Sequence, residues 1–407
     1  MSLIPVEDAL RLVLENVEHP VEEESVSLAA AHRRTLARDL AALRTQPPFP
    51  ASAMDGYAVR AQDLKTIPAT LKVAGTSAAG HGFAGTVGEG EAVRIFTGAP
   101  VPAGADAIVI QENTDLNGPN VIIREIPVPG RYIRRAGLDF SEGEQLLRAG
   151  QRLDARHLAL AAAMGHALLP VRRKPRVAIL ATGDELVKPG EPAGLDQIVA
   201  SNSYALAALV EQAGGETHDL GIAPDNFEAL EAGIEAAVRL DADLLVTLGG
   251  ASVGEHDLIQ SALVKQGMAL GFWRVAMRPG KPLLHGRLGR TLILGLPGNP
   301  VSSVVCGILF VVPAIRAMLG DPAAGEDPTE SAILGADLPP NDLRQDYLRA
   351  TLDRRASDLP IATALPVQDS SMLATLSRAD ALIVRPPHAP AARSGNMCRV
   401  ITLDRFG

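Results

Sequence analysis

Residues Leu244 to Asp257 read LLVTLGGASVGEHD, an apolar run that breaks into a segment containing three glycines. The apolar run predicts a buried strand, and the glycines leave backbone amides free to approach an anion. Glu255 and Asp257, at the far end, are suited to hold a divalent cation beside that anion. A tight strand-to-helix turn with solvated acids is the alternative interpretation of this stretch taken alone.

The segments around this stretch alternate strands with helices. From Pro175 onward, strand-like RVAIL, a strand around 218–220, LLVTL and LILGL are separated by predicted helices over Tyr204–Gln212 and Phe227–Arg239 and one beginning at Val301. This alternation predicts a doubly wound α/β domain, a parallel sheet covered by helices on both faces.

Polar loops follow the predicted strands on one side. They are Thr182 to Glu185, Asp225, Gly249 to Asp257, and Pro297 to Pro300. Open α/β sheets bind their ligands beyond the carboxyl ends of the strands, so we expect these loops to converge on one edge.

The rest of the chain predicts a multidomain α/β plus β protein. An amphipathic helix at residues 4–18 is a candidate to pack on the α/β domain, and Asp55-Gly56 is predicted to form a turn. The predicted division is a discontinuous N-terminal α/β linker domain (1–45 with 139–174), a β-rich insertion domain (46–138), the central α/β domain (175–321) and a small C-terminal β-barrel-like domain (328–407).

Composition excludes several classes of function. A net charge of -9 and 3% aromatic residues disfavour nucleic acid and anionic membranes as partners. Cys306 and Cys398 have no spacing typical of a zinc site or a disulfide framework, which fits a reducing compartment. Acidic residues near the start of the sequence argue against a signal peptide. The apolar run Val301–Leu319 is interrupted by Pro313 and Arg316, which predicts a core helix. We therefore expect a cytoplasmic protein.

Six multi-residue motifs carry a family resemblance that covers nearly the whole chain in order. They are Ser52–Val59 (SAMDGYAV), Thr97–Pro100 (TGAP), Thr182–Leu186 (TGDEL), Ser252–Asp257 (SVGEHD), Pro279–Pro282 (PGKP) and Gly295–Ser302 (GLPGNPVS). Together they resemble the molybdopterin molybdenumtransferases and the E domain of gephyrin.

This resemblance implies Mg²⁺-dependent insertion of molybdate into adenylylated molybdopterin, with release of AMP. It also implies a homodimer whose active cleft lies between the α/β domain of one subunit and the β insertion of the other. Other enzymes of molybdenum cofactor biosynthesis are further candidate partners.

The reaction requires carboxylates for Mg²⁺ on the diphosphate and cations for the oxyanion. By resemblance, the candidate metal ligands are Asp184, Glu185, Asp225 and Asp257, which with Asp55 of the partner subunit and Lys281 form the candidate catalytic set. A helix N-cap or a solvated loop is the alternative for Asp184 or Asp225 alone.

Three cations within eight residues, Arg274, Arg278 and Lys281, are candidates for the oxyanion together with Ser302. A solvated basic hairpin is the alternative. The family usually carries Lys where Arg274 and Arg278 stand, and arginine offers a planar fork in place of a point donor.

The resemblance also supplies a set of substrate-binding candidates. They are Thr97, Gly98, Thr182, Gly183, Ser201, Asn202, Gly249, Gly250, Ser252, Val253, Gly254, Pro282, Pro297, Gly298, Asn299, Pro300, Arg349 and Ser371. Asp139 lies in a loop where the family usually has Gly-Glu-Asp, but here Leu138 replaces the Glu.

Three other functions remain open from the sequence. A paralogue that inserts tungstate would share every motif. A molybdopterin adenylyltransferase would share the α/β domain, but it usually has a Gly-Gly-Thr-Gly loop where this chain reads Gly-Gly-Ala-Ser-Val-Gly. A non-catalytic scaffold is the third, although the retained acids and cations argue against it.

Overall fold

The structure is a computed structural model that describes residues 3–249, 258–354 and 358–406. Its central element is a six-stranded sheet whose strands follow the order Glu216–Ala223, Arg176–Thr182, Leu244–Leu248, Thr291–Leu296, Pro282–Leu288 and Ala269–Arg274.

The predicted all-parallel sheet is wrong for its last two strands. The first four strands are parallel, whereas Pro282–Leu288 and Ala269–Arg274 each pair antiparallel with their neighbour. Only Gly289 and Arg290 separate Pro282–Leu288 from Thr291–Leu296. A parallel pairing needs a crossover of a dozen or more residues, so a connection this short forces an antiparallel hairpin.

Helices cover both faces of this sheet, as the sequence predicts. Alternate residues of Arg176–Thr182 point to opposite layers: Val177 and Ile179 into one, Ala178 and Leu180 into the other. The first layer contains the helices Val6–Glu15, Asn202–Ala213, Pro300–Cys306 and Val312–Met318, the last two joined by a π-helical segment at Gly307–Val311. The second layer contains Phe227–Arg239 and Leu258–Lys265.

The continuous helical stretch Pro300–Met318 is long and apolar enough, by length and mean hydropathy, to cross a membrane. In the structure 78% of that window is buried against the sheet and the neighbouring helices. This placement agrees with the core helix predicted from Pro313 and Arg316.

A second six-stranded sheet lies in the β-rich insertion. Its order is Ala107–Ile110, Gly56–Val59, Glu91–Ile95, Ala69–Ser77, Asn120–Ile123 and Thr114–Asn117. Gly56 begins a strand and is not part of the predicted Asp55-Gly56 turn. A Cβ on Gly56 would lie 2.0 Å from the Val109 carbonyl oxygen, so the glycine serves close approach of two strands.

Residues from both sides of this insertion share one apolar core. The strand Glu23–Ser27 pairs with Leu168–Arg172, and Leu40–Ala41 pairs with Gln145–Leu147. The helix Ala155–Ala163 begins at Asp154, whose carboxylate accepts from the amide of His157 in a capping box. The strands Ala51–Ser52 and Ile133–Arg134 pair with each other, as do Leu186–Val187 and Ile198–Val199.

The C-terminal strands form a closed barrel. Gln345–Asp353, Ile361–Ala364, Glu330–Leu334, Met397–Thr402 and Ala381–Arg385 pair in that order, and the last pairs back with the first. Met277–Arg278 adds a parallel edge to Gln345–Asp353, and a short helix spans Leu373–Leu376. The predicted fold class, a central α/β domain with a β-rich insertion and a β-barrel-like end, is confirmed.

Candidate active site

A cleft of about 610 Å³ opens where the parallel strands Arg176–Thr182 and Leu244–Leu248 end. This is the edge at which open α/β sheets bind ligands. The substrate-binding and catalytic candidates that line it are Thr182, Gly183, Glu185, Ser201, Asn202, Asp225, Gly249, Pro282, Pro297, Gly298, Asn299, Pro300 and Ser371.

The floor of the cleft depends on a close approach between two strand ends. Gly249 has a φ of 96°, and a Cβ there would lie 2.5 Å from the Thr182 carbonyl oxygen. A side chain is therefore excluded by both backbone conformation and space. Across the cleft, the Asn202 side-chain amide donates to the Gly298 carbonyl at 2.7 Å and ties the helix start to the proline-rich turn.

Three carboxylates meet at one wall of the cleft. The Asp225 amide donates to Oδ1 of Asp184 at 3.1 Å, and Glu185 lines the cleft beside them. Partial burial, and then the negative charges of Asp184 and Glu185, raise the pKa of the Asp225 carboxyl above its ordinary value. The wall thus holds negative charge close together, and the described residues that line the cleft include no lysine or arginine to compensate it.

The remaining predicted residues of the glycine-rich loop, Gly250, Ser252, Val253, Gly254 and Asp257, lie outside the described residues. Within the described ranges, no group of three or more His, Cys, Asp or Glu side chains is arranged to hold a metal ion. Asp184, Glu185 and Asp225 are close to one another but do not form such a group by themselves, so the candidate metal set, which also includes Asp257, stays a prediction.

The three candidate cations have different surroundings. Arg278 donates from Nε and Nη2 to the two carboxylate oxygens of Asp346, at 2.9 and 2.5 Å. Arg274 is half-buried, with its guanidinium 5.4 Å from the centre of the Trp273 ring. Lys281 is exposed, and no described carboxylate forms an ion pair with it. Of the three, only Arg278 pairs with a described carboxylate; Lys281 is exposed, and the buried Nε of Arg274 has no described hydrogen-bond partner.

The last candidates are Ser371 and Arg349, from the C-terminal part of the chain, and Ser302, from the helix Pro300–Cys306. Ser371 lines the cleft, and its hydroxyl donates to Oδ1 of Asp369 at 2.6 Å. Arg349 is only 1% exposed and donates to the Asp369 carbonyl at 3.0 Å, so it supports the loop that carries Ser371. Ser302 is buried in the helix that begins at Pro300.

A second polar site, which we call the Asp55 corner, consists of Asp55, Thr97 and Gly98 in the β-rich insertion. Oδ1 of Asp55 accepts from the Thr97 amide at 2.7 Å and from the Thr97 hydroxyl at 2.9 Å. These bonds, first the amide and then the hydroxyl, lower the pKa of Asp55. Gly98 borders an adjoining pocket of about 360 Å³ that is also lined by Phe49, Arg134, Leu138 and Asp139.

The cleft and the Asp55 corner are complementary in composition. No residue between 46 and 139 lines the cleft, and none of the described residues that line it is a lysine or an arginine. The pocket of the Asp55 corner, by contrast, contains Arg134. The cleft therefore has acids and backbone donors but lacks a described cationic wall.

Sequence reasoning missed the apolar wall of the cleft, which includes Leu186, Ile198 and Val199. Ile198 and Val199 form a two-residue strand that pairs with Leu186–Val187. A strand this short leaves no periodic signal. Its only sequence trace is an apolar pair between a proline-glycine-rich loop and Ser201.

Family comparisons cover the chain from end to end. Residues 4–165 match the MoeA N-terminal region (domain I and II), residues 178–317 a probable molybdopterin binding domain, and residues 331–403 the MoeA C-terminal region (domain IV).

Individual relatives agree with these matches. The chain is 39% identical to a molybdopterin molybdenumtransferase of Haemophilus influenzae, covering 85% of each chain, and 37% identical to one of Nostoc, covering 94% of this chain and 89% of that one. A solved molybdopterin biosynthesis MoeA protein of Pyrococcus horikoshii superimposes with a TM-score of 0.84 at 30% identity, over 100% of both chains. Because the three matched regions follow one another in the family's order and the relatives match over most of the chain, the chain belongs to the molybdopterin molybdenumtransferase (MoeA) family.

Proposed function

We propose that this protein inserts molybdate into adenylylated molybdopterin during molybdenum cofactor biosynthesis and releases AMP. The observation that carries the proposal is the cleft, which brings residues of three of the six motifs, Thr182–Leu186, Pro279–Pro282 and Gly295–Ser302, to the carboxyl ends of two parallel strands. Its relatives named molybdopterin molybdenumtransferase match over most of the chain.

The acidic wall is the proposed place for Mg²⁺. Asp184, Glu185 and Asp225 offer carboxylate oxygens, the ligands that Mg²⁺ prefers, and their mutual repulsion is relieved by a divalent cation. Bound there, Mg²⁺ would neutralise charge on the diphosphate of the substrate. The backbone amide of Asp225 donates to Oδ1 of Asp184 at 3.1 Å, so the Asp184 carboxylate is oriented before any cation arrives.

Two elements of the cleft are suited to the organic substrate and the oxyanion. Leu186, Ile198 and Val199 offer an apolar wall against a flat heterocycle, and Ser371 offers a hydroxyl to an oxyanion. The exposed Lys281 is not among the described lining residues, but it precedes the lining residue Pro282 and is the proposed source of positive charge. Arg278 contributes less directly in this proposal, because its guanidinium is occupied by Asp346.

The proposed working unit is a homodimer with shared clefts. The cleft has no described lysine or arginine in its lining, whereas the Asp55 corner carries an oriented carboxylate and borders Arg134. Placing the Asp55 corner of one subunit over the cleft of its partner would bring the Asp55 carboxylate and the charge of Arg134 to the residues of the cleft. The division into four domains at 45, 138, 174 and 321, and a cytoplasmic location, are part of the same proposal.

The other candidate functions have less support. An adenylyltransferase would not need the matched regions at 4–165 and 331–403 that flank the α/β domain. A scaffold would not need an acidic cluster that raises the pKa of Asp225. A preference for tungstate would use the same residues, since both oxyanions are tetrahedral dianions.

The test is AMP release by purified protein from adenylylated molybdopterin and Mg²⁺, with molybdate, with tungstate and with neither. We expect release that depends on molybdate. Release that depends on tungstate alone would change the metal but keep the site, and tight pterin binding without release under either oxyanion would contradict the transferase proposal.

A further inference from the structure

We infer that Arg94, which no family motif contains, is a positioning residue of the Asp55 corner and braces both chain segments that form it. The inference rests on the proposed role of Asp55. It concerns a side chain that lies one strand away from the motif residues, in the strand Glu91–Ile95.

The guanidinium of Arg94 lies close to two aromatic rings. Its central carbon is 5.1 Å from the centre of the Tyr57 ring and 4.9 Å from the centre of the Phe96 ring. Tyr57 is the cross-strand partner of Arg94 and is buried, whereas Phe96 is 39% exposed. A planar guanidinium suits this arrangement, because both of its faces can contact π-systems at once.

The edges of the same guanidinium bind the segment that carries Asp55. Nη1 donates to the Gly56 carbonyl at 3.2 Å, and Nη2 donates to the Gln111 side-chain carbonyl at 2.7 Å. The Gln111 amide in turn donates to the Asp55 carbonyl at 3.0 Å. Arg94 therefore holds two consecutive backbone carbonyls, that of Gly56 directly and that of Asp55 through Gln111.

Phe96 connects Arg94 to the second segment. It immediately precedes Thr97, whose amide and hydroxyl both donate to Asp55. The Ala99 amide donates to the Phe96 carbonyl at 2.9 Å, which closes the turn around Thr97. One side chain thus fixes the segment that presents the carboxylate and the segment that orients it.

The alternative is that Arg94 contacts the substrate anion itself. The two roles predict different results in protein without substrate. A brace keeps the Thr97 amide in its hydrogen bond to Asp55 at all times, so its loss raises amide hydrogen exchange at Thr97. A substrate contact leaves exchange in the free protein unchanged and weakens substrate binding.

The experiment compares the full-length variants Arg94→Lys and Arg94→Met with the control Arg131→Lys. Arg131 lies in the same β-rich insertion, and its guanidinium stacks on one ring, that of Tyr132, at 4.8 Å and pairs with Glu125, but its side chain donates to no described backbone carbonyl. Hydrogen exchange is followed by mass spectrometry in peptides covering 53–57 and 95–98, and AMP release gives kcat and KM separately.

We expect exchange in both peptides to rise about tenfold in Arg94→Lys and Arg94→Met, because lysine keeps the charge but cannot bind two rings and two carbonyls together. We expect kcat to fall about tenfold with KM nearly unchanged, and Arg131→Lys to match the wild type. If Arg94→Met does not fold, Phe96→Leu, which removes one ring and keeps the charge, is expected to raise exchange at Thr97 in the same way.

Unchanged exchange with a raised KM would overturn the brace in favour of direct substrate contact. Unchanged exchange with unchanged kinetics would overturn it altogether. Raised exchange with normal kcat would keep the brace and remove Asp55 from the mechanism, so a failure of this inference and a failure of the proposed function give different results.

Discussion

The cleft and the Asp55 corner hold their carboxylates in opposite ways. In the cleft, Asp225 lies beside Asp184 and Glu185, and its pKa is raised. In the corner, Asp55 accepts two hydrogen bonds from Thr97, and its pKa is lowered. Burial and the neighbouring negative charges disfavour the ionised form of Asp225, whereas the two donors of Thr97 favour the ionised form of Asp55.

This difference separates two tasks. Carboxylates that repel one another are stabilised by a cation between them, so the cleft is suited to bind a cation. A carboxylate already satisfied by an amide and a hydroxyl is fixed in position and charged over the whole neutral range, so Asp55 is suited to orient a partner group. The predictions that follow alter one region at a time.

The largest expected effect is on catalysis when the repelled cluster is broken. Asp225→Asn removes one metal-ligand candidate, and we expect kcat/KM for AMP release to fall at least about a hundredfold because transition-state charge loses its stabilisation. Asp219→Asn is the matched control, since Asp219 is exposed on the preceding strand and does not line the cleft. Wild-type turnover in Asp225→Asn would remove Asp225 from the site.

An intermediate effect is expected in the corner. Thr97→Val removes the hydroxyl that donates to Asp55 and leaves the amide, so we expect kcat to fall about ten- to a hundredfold, the size of one hydrogen bond to a charged group. Thr97→Ser keeps the hydroxyl and should stay near wild type. A loss in Thr97→Ser together with wild-type turnover in Thr97→Val would show that the methyl group, not the hydroxyl, is responsible.

The smallest effect is on stability and has opposite signs in the two regions. The folded-state pKa of Asp225 lies above its unfolded value, so the ionised group costs stability at neutral pH, and this cost disappears as pH falls through the raised pKa. We expect Asp225→Asn to raise the midpoint of thermal unfolding by about 1–2 °C at neutral pH without Mg²⁺.

Asp55 behaves in the reverse way. Its folded-state pKa is lowered, so its carboxylate contributes stability above the unfolded pKa, and that contribution is lost as pH falls through the lowered pKa. We expect Asp55→Asn to lower the unfolding midpoint slightly at neutral pH. Calorimetry of both variants at neutral and acidic pH checks the signs, and a fall in both midpoints at neutral pH would contradict the contrast.

Much of the fold and of the cleft could be predicted from the sequence. The alternation of apolar strands and amphipathic helices after Pro175 predicted the α/β layers, because side-chain burial follows the period of each element. Loops that follow parallel strands meet at one edge by geometry alone, so Thr182, Asp225, Gly249 and Pro297 could be placed together.

What could not be predicted depends on contacts between distant residues. Asp55 and Thr97 are 42 residues apart, and Arg278 and Asp346 are 68 apart. The sequence predicted Arg278 as an anion ligand, and a local charge pattern gives no sign that Asp346, on the neighbouring strand of the same sheet, binds its guanidinium. The antiparallel direction of Pro282–Leu288 was missed because apolar composition does not encode strand direction. The two-residue connection to Thr291–Leu296 decides it.

The shared cleft is the central claim, and mixing two inactive variants tests it most directly. Asp55→Asn keeps an intact cleft and Asp225→Asn keeps an intact Asp55 corner, so a heterodimer isolated by two different affinity tags contains one complete site. The shared-cleft arrangement predicts that this heterodimer recovers about half of the wild-type rate of AMP release per dimer, although each variant alone is inactive. A heterodimer that forms but remains as inactive as its parents would contradict it.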